Sequence, residues 1–151
     1  MSKVSVCLWF DGQAEAAADF YCKVFKDARL TSTPRQPGGP PPMTVAWDMN
    51  GMSFIGLNGG PMFKFSEAIS FSIDCADQAE VDFYWDALLA GGGEESQCGW
   101  LRDRFGVSWQ VVPSVLPRFL SSLEPGKAQK AGEAMMKMKK IVIADLEAAV
   151  R

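Results

Sequence analysis

Hydrophobic and polar residues alternate at the start of the chain in the pattern of a β-strand. Apolar residues at positions 4, 6, 8 and 10 alternate with Ser5, Cys7 and Trp9, which predicts a strand over 4–10 with one buried face. Apolar positions over 14–25 then recur with helical spacing. An amphipathic helix is therefore expected to cover the apolar face of that strand.

The same half of the chain predicts three more strands. Residues 28–33 are expected to form the next strand. Residues 34–42 are expected to form a loop, because they combine five prolines with two glycines and have too few backbone donors for regular structure. Strands over 44–49 and 52–58 follow, separated by Asn50-Gly51, a dipeptide typical of a tight hairpin turn.

The second half begins with another alternating segment, over 67–75, which predicts a strand. Asp77 and Glu80 have the spacing of a capping box and predict the start of a helix. Further strands are expected over 95–101 and 107–112.

The pattern after Pro113 changes to that of helices. A short helix is expected over 115–120, a longer one over 127–139, and a final one from Ala144. This tail contains several methionines and isoleucines, so it is expected to pack against the domain or against a second subunit.

The two halves of the chain resemble each other in sequence. Six residues of the first half have matches in the second half, 63 positions later, without a gap. The first set is Phe10, Asp11, Ala16, Asp19, Phe20 and Tyr21, and its matches are Ile73, Asp74, Ala79, Asp82, Phe83 and Tyr84. A second match, 48–54 with 103–109, has a spacing of 55. Such self-similarity predicts one pseudo-symmetric domain with a site between its halves.

Composition narrows the class of protein. The chain has 151 residues, of which 48% are hydrophobic, enough for a single globular core. A net charge of −3 argues against a nucleic-acid surface. No apolar run is long enough to span a membrane and no secretory signal is recognisable, so a cytoplasmic protein with four reduced cysteines is expected.

The repeat units resemble the vicinal oxygen chelate superfamily, which includes glyoxalase I and dioxygenases. The residues that carry the resemblance in the first unit are 8–11, 14–15, 20–21 and 24–25. Within the superfamily, the segments Asn58-Gly-Gly-Pro61, 63–71, 92–101, 103–113 and 134–140 are similar to the PhnB-like branch, catalogued as 3-demethylubiquinone-9 3-methyltransferase.

The resemblance implies an α+β fold of two tandem β-α-β-β-β modules. The modules would form a curved, mostly antiparallel eight-stranded sheet around a cleft, usually in a homodimer. The expected glyoxalase-like domain covers 1–113, with repeats at about 3–60 and 66–113, and a C-terminal helical extension covers 114–151.

The resemblance also implies four metal-ligand positions on the cleft face. They fall at Ser5, Ile55, Ala68 and Gln110, and none of these residues is a histidine or glutamate. The chain contains no histidine, and transition-metal sites of this kind are usually built from imidazole and carboxylate. No metal and no cofactor are therefore expected.

Strand alternation extends these positions to a set of candidate ligand-contacting residues. The set is Ser5, Cys7, Trp9, Ser53, Ile55, Ala68, Ser70, Ser108 and Gln110, to which Cys98 and Trp100 are added as residues to test in a pocket. Ser72 is two residues after Ser70 and is therefore expected on the same face of the strand. Trp85 and Trp109 are expected in the core, and Cys7, Cys22 and Cys75 are ordinarily buried small residues.

Three functions are compatible with this pattern. The first is a metal-free protein that binds a small aromatic or hydrophobic molecule. The second is a metal-independent isomerase or transferase using Gln110, Cys98 or a carboxylate such as Glu67, Glu94 or Glu95, although these carboxylates are more often simply solvated. The third is an interaction module whose dimer surface is its function. Methyl transfer is not favoured, because neither helix is preceded by a glycine-rich cofactor loop.

Overall fold

The computed structural model describes residues 3–151. Met1 and Ser2, with which the predicted domain begins, lie outside the described residues. The chain divides into two compact units, the first ending at Phe65 and the second running from Ser66 to Arg151. The α+β class and the two β-α-β-β-β modules are confirmed.

Unit 1 consists of one helix and a mixed four-stranded sheet. Its elements are β1 (Val6–Phe10), α1 (Ala14–Val24), β2 (Ala28–Leu30), β3 (Thr44–Met49) and β4 (Met52–Asn58). The strand order is β1-β4-β3-β2, with β1 parallel to β4 and the other pairs antiparallel. The strands at 44–49 and 52–58 have the predicted bounds, because Asn50 and Gly51 both take the positive φ values that a tight hairpin turn needs.

The core of unit 1 lies between α1 and one face of the sheet. Trp47 is fully buried, stacks on Phe54 with 5.5 Å between ring centroids, and lies 5.9 Å from the ring of Tyr21 on α1. Gly56 permits this packing, since a Cβ there would lie only 3.0 Å from the Cβ of Ala14. The helix predicted over 14–25 is thus confirmed, together with the face that it buries.

Unit 2 repeats this connectivity and adds a helical tail. Its sheet elements are β5 (Phe71–Cys75), α2 (Gln78–Leu89), β6 (Glu94–Glu95), β7 (Trp100–Arg102) and β8 (Ser108–Pro113), in the order β5-β8-β7-β6. Asp77 caps α2 through a 2.9 Å bond from the backbone N–H of Glu80 to its carboxylate. Trp85 and Trp109 are buried, as predicted.

Two predicted strands of unit 2 are wrong in part. The strand expected over 67–75 begins only at Phe71, where its pairing with Trp109 of β8 begins, because Glu67 and Ala68 form a turn. Ile69 is accordingly 73% exposed. The strand expected over 95–101 is interrupted by a turn in which Cys98 and Gly99 have positive φ. The strands expected to begin at Val4 and to end at Thr33 are also shorter than predicted.

The tail contains α3 (Leu116–Leu120), α4 (Lys127–Met136) and α5 (Ile143–Ala149). Leu116, Ile141 and Leu146 form its buried core. The segment between α4 and α5 binds the turn before β7, since Met138 and Lys139 accept hydrogen bonds from the backbones of Cys98 and Gly99 at 2.8 and 2.7 Å. This pairing explains why the predicted strand over 95–101 is broken.

The side chain of Gln78 also holds the tail to α2. Its Nε2 donates to the carbonyl of Ile141 at 3.0 Å, and its Oε1 accepts from the backbone of Ile143 at 2.8 Å. Gln78 also donates a hydrogen bond to the carboxylate of Asp82 at 3.0 Å, and the ammonium of Lys140 lies 2.9 Å from the same carboxylate. The hydrogen bond from Gln78 and the contact with Lys140 both lower the pKa of Asp82. Among residues 3–151, no helix is long and apolar enough to span a membrane.

Candidate functional site

The predicted site residues of unit 1 lie on the face of its sheet opposite α1, here called outer face 1. Cys7, Trp9, Ser53 and Ile55 alternate with the buried residues of β1 and β4. Register places Cys7 beside Ile55, which in turn lies beside Ala46 of β3. Cys7 is exposed rather than buried, so the expectation that it is a buried small residue is wrong. Ser5 is exposed and precedes β1.

Trp9 is held tightly by the end of its own unit. Its indole Nε1 donates to the carbonyl of Gly60 at 2.8 Å, and its ring lies edge-on to Phe63 at 4.9 Å. A Cβ at Gly59 would lie 2.4 Å from the indole ring, closer than real contacts allow. Gly59 is therefore needed for this position of Trp9, which makes the indole a fixed wall of outer face 1.

The polar groups of outer face 1 are paired with one another. Ser53 donates to the carboxylate of Asp48 at 3.1 Å, and the guanidinium of Arg29 approaches the same carboxylate at 4.0 Å. Register explains the grouping, because Arg29, Asp48 and Ser53 lie side by side on β2, β3 and β4. Asp48 and Arg29 are additions to the predicted set, and strand register would have been needed to find them.

The corresponding outer face 2, on the sheet of unit 2, carries Ser72, Trp100, Ser108 and Gln110. Gln110 lies between Ser72 on β5 and Trp100 on β7. Its Nε2 donates to the hydroxyl of Ser70 at 2.9 Å. Trp100 is half-buried, so part of its indole is accessible on this face.

Ser108 has the most unusual environment on outer face 2. Its side chain is 1% exposed, and its Oγ has no hydrogen-bond partner in the described part of the chain. It lines a cavity of about 90 Å³ together with Trp100, Arg102 and the carboxylates described next. A buried hydroxyl without a partner is costly, and the cavity has room for a few ligand atoms or water.

Arg102 brings charge to the same cavity. Its guanidinium donates to Glu94 at 2.7 Å and lies 3.8 Å from Glu67. Register places Arg102 between Glu94 on β6 and Ser108 on β8. Arg102 is a further addition to the predicted set. Its two-residue spacing from Trp100 was the signal that both share a face.

The register of β5 corrects the predicted repeat alignment. Cys7 pairs with Ile55 in unit 1, and Ser72 pairs with Gln110 in unit 2, so equivalent positions of β1 and β5 are 65 residues apart rather than 63. The equivalent of Ser5 is therefore Ser70. Ala68 lies in a turn before β5, where strand alternation does not apply. The shift is two residues, so the predicted faces are unchanged.

Cys98 lies in the turn between β6 and β7, and its Sγ contacts the sulfur of Met136 at 3.6 Å. The structure therefore places its sulfur against the tail helix α4. Cys75 is buried, and burial with the nearby carboxylates of Glu80 and Asp74 raises its pKa to about 12. Its thiol is thus protonated and unreactive at neutral pH.

The residues at the implied metal-ligand positions do not fit a metal. Ser5 and Ile55 offer a hydroxyl and a hydrocarbon, and the side-chain amide of Gln110 is bonded to Ser70. Divalent transition metals in proteins select imidazole, thiolate and carboxylate ligands. Within 3–151, no group of three or more His, Cys, Asp or Glu side chains is arranged to hold a metal ion.

Comparison with known proteins identifies relatives of this chain. A family model described as 3-demethylubiquinone-9 3-methyltransferase matches residues 2–112. A solved putative 3-demethylubiquinone-9 3-methyltransferase, the PhnB protein of Bacillus cereus, is 27% identical over 74% of this chain and 99% of its own, with a TM-score of 0.65.

Two more solved structures are similar to this chain. A protein from Pseudomonas aeruginosa is 20% identical over 75% of this chain and 98% of its own, with a TM-score of 0.59. A glyoxalase/bleomycin resistance protein from Albidiferax ferrireducens is 17% identical over 72% of this chain and 95% of its own, with a TM-score of 0.48. No curated protein matches the chain.

Proposed function

Because the chain belongs to the PhnB-like 3-demethylubiquinone-9 3-methyltransferase family of the vicinal oxygen chelate superfamily, we propose that it is a metal-free protein that binds a small molecule on its outer sheet faces. The buried, unpartnered hydroxyl of Ser108 is the observation that carries this proposal. The Oγ itself is closed to solvent, so the Ser108 side chain must rotate toward the cavity before a polar ligand atom there can pair the hydroxyl and remove its desolvation cost.

The other groups around Ser108 suit a ligand with a flat or apolar body. Trp100 offers an indole surface beside the cavity, and aromatic side chains contribute large apolar contact areas to ligand sites. The ion pairs of Arg102 with Glu67 and Glu94 surround the same space with charge. An apolar ligand that carries a few polar atoms would complement this combination of an indole surface and charged groups.

Methyl transfer is not part of the proposal, although the family description names it. An adenosyl cofactor needs a glycine-rich turn between a strand and a helix. In this chain α1 follows Asp11-Gly12-Gln13, and α2 follows Ala76-Asp77. The description therefore names the family, and we do not propose methyl transfer as the activity of this chain.

We also propose that the protein is a cytoplasmic homodimer. Native mass spectrometry of protein purified without chelator tests the number of chains and the absence of a metal ion. The expected spectrum shows two chains, no divalent ion and, where ligand is retained, an additional organic mass. One stoichiometric divalent ion per chain would contradict the metal-free proposal. Chemical conversion of the retained molecule would favour a metal-independent enzyme instead.

Ligand-observed NMR with a library of small aromatic fragments tests the site itself. Ser108→Val fills the cavity and removes the hydroxyl, so fragments bound by the wild type should lose their signal. Thr33→Val is the matched control, because Thr33 is exposed in the loop after β2 and belongs to neither outer face. Equal binding by both variants would place the ligand elsewhere.

A further inference from the structure

A second cavity lies in the helical tail, outside residues 2–112 that the family model matches. It has a volume of about 320 Å³ and is formed by α3, the loop after it, the start of α4 and the end of α5. This volume is in the range of small-molecule sites. We call it the tail pocket.

The tail pocket combines an apolar lining with cationic groups. Val115, Phe119 and Val150 provide hydrocarbon surface in its lining, and Arg118 and Lys127 provide the cationic groups. Phe119 also packs on the tail core of Leu116, Ile141 and Leu146, so this wall is held in place by buried residues.

The charges of the tail pocket favour an anion. Glu124 is the one acidic side chain that lines it, and it is paired with the ammonium of Lys127 at 2.5 Å. Arg118 is exposed and forms no ion pair within the described residues. The lining therefore has one guanidinium in excess, and a guanidinium binds a carboxylate through two parallel hydrogen bonds.

We propose that the tail pocket binds a medium-chain aliphatic carboxylate. The carboxylate pairs with Arg118, and the hydrocarbon chain lies against Phe119, Val115 and Val150. This site is independent of the sheet faces and of the function proposed for them, since its lining residues belong to the tail alone. A free fatty acid is the simplest ligand of this chemistry.

Isothermal titration calorimetry with octanoate, 1-octanol and octylamine tests the assignment on the full chain. Octanoate is expected to bind about tenfold or more tightly than octanol, because only the carboxylate forms the charged pair. Octylamine is expected to bind most weakly. Octanol binding as tightly as octanoate would overturn the proposal.

Substitutions in the tail pocket test whether octanoate binds there. Arg118→Gln should weaken octanoate binding about tenfold and leave octanol binding unchanged. Val150→Trp should abolish the binding of both by filling the pocket. Arg35→Gln, at an exposed arginine in the loop between β2 and β3, is the matched control and should behave as wild type. Octanoate binding that survives both Arg118→Gln and Val150→Trp would overturn the proposal.

Discussion

The two outer faces share a strand order but differ in the environment of one equivalent serine. On outer face 1, Ser53 donates to Asp48, which also faces Arg29. On outer face 2, Ser108 occupies the equivalent position, is buried and has no partner for its hydroxyl. Topology thus determines which residues share a face, whereas the identity of their neighbours determines whether a polar group is satisfied internally or left unpaired.

The difference begins with the two aspartates of the repeat. Asp48 and Asp103 are 55 positions apart, yet Asp103 is buried and accepts bonds from the backbones of Phe105 and Val107 and from the indole of Trp109, at 2.9, 3.1 and 2.9 Å. Asp103 therefore holds the turn before β8 together, while Asp48 remains on the outer face. The repeat match between the two aspartates gives no indication of this role.

The largest predicted effect on stability distinguishes Asp103 from Asp48. Asp103→Ala should lower the free energy of unfolding by about 3–5 kcal/mol, because buried donors are left unpaired. Asp48→Ala should cost about 1 kcal/mol or less, since its partners are partly exposed. Urea unfolding of both variants measures the contrast. Equal losses would mean that the two aspartates have the same structural role.

The next effect concerns the tail, which only unit 2 possesses. Gln78→Ala removes the bonds to Ile141 and Ile143 and should cost about 2 kcal/mol. Hydrogen exchange should become faster in α5 and in the turn around Cys98, but not in unit 1. Gln129→Ala, an exposed glutamine on α4, is the control. Unchanged exchange in α5 would show that the apolar tail core alone holds it.

The two serines should respond with opposite signs. Ser53→Ala should lower stability by about 0.5–1 kcal/mol through loss of the bond to Asp48. Ser108→Ala should leave stability unchanged or raise it by about 1 kcal/mol, because it removes a buried unpaired hydroxyl. Thermal unfolding without ligand measures both. A loss for Ser108→Ala similar to that for Ser53→Ala would show that its hydroxyl is already satisfied, for example by water.

The smallest predicted effect on stability concerns two cysteines. Their thiols should, however, differ strongly in reactivity. Cys7 is exposed on outer face 1, whereas Cys75 is buried and its pKa is raised to about 12. Iodoacetamide at pH 8 should modify Cys7 well before Cys75, as peptide mass spectrometry can show. Because the folded pKa of Cys75 is above its unfolded value, its contribution to stability should be full below about pH 9 and decline between about pH 9 and 12. Early modification of Cys75 would indicate local opening of unit 2.

Much of the fold could be predicted from local pattern. The β3–β4 hairpin, α1 and the capped start of α2 follow from periodicity, turn residues and capping, and the structure has them at or near the predicted positions. The candidate site was predicted mainly as a set of residues that strand alternation places on one face of the sheet. Which of them are paired, as Gln110 is with Ser70, depended on neighbouring strands.

The chain's own sequence determined most of the elements and the faces of the strands, because these depend on residues close together along the chain. The tertiary structure decided the register of β5, the break between β6 and β7 and the burial of Ser108. Each of these depends on contacts between distant segments: β5 ends where β8 ends, and the tail takes the hydrogen bonds of Cys98 and Gly99. A two-residue shift preserves every face of a strand, so periodicity alone could not distinguish Ala68 from Ser70.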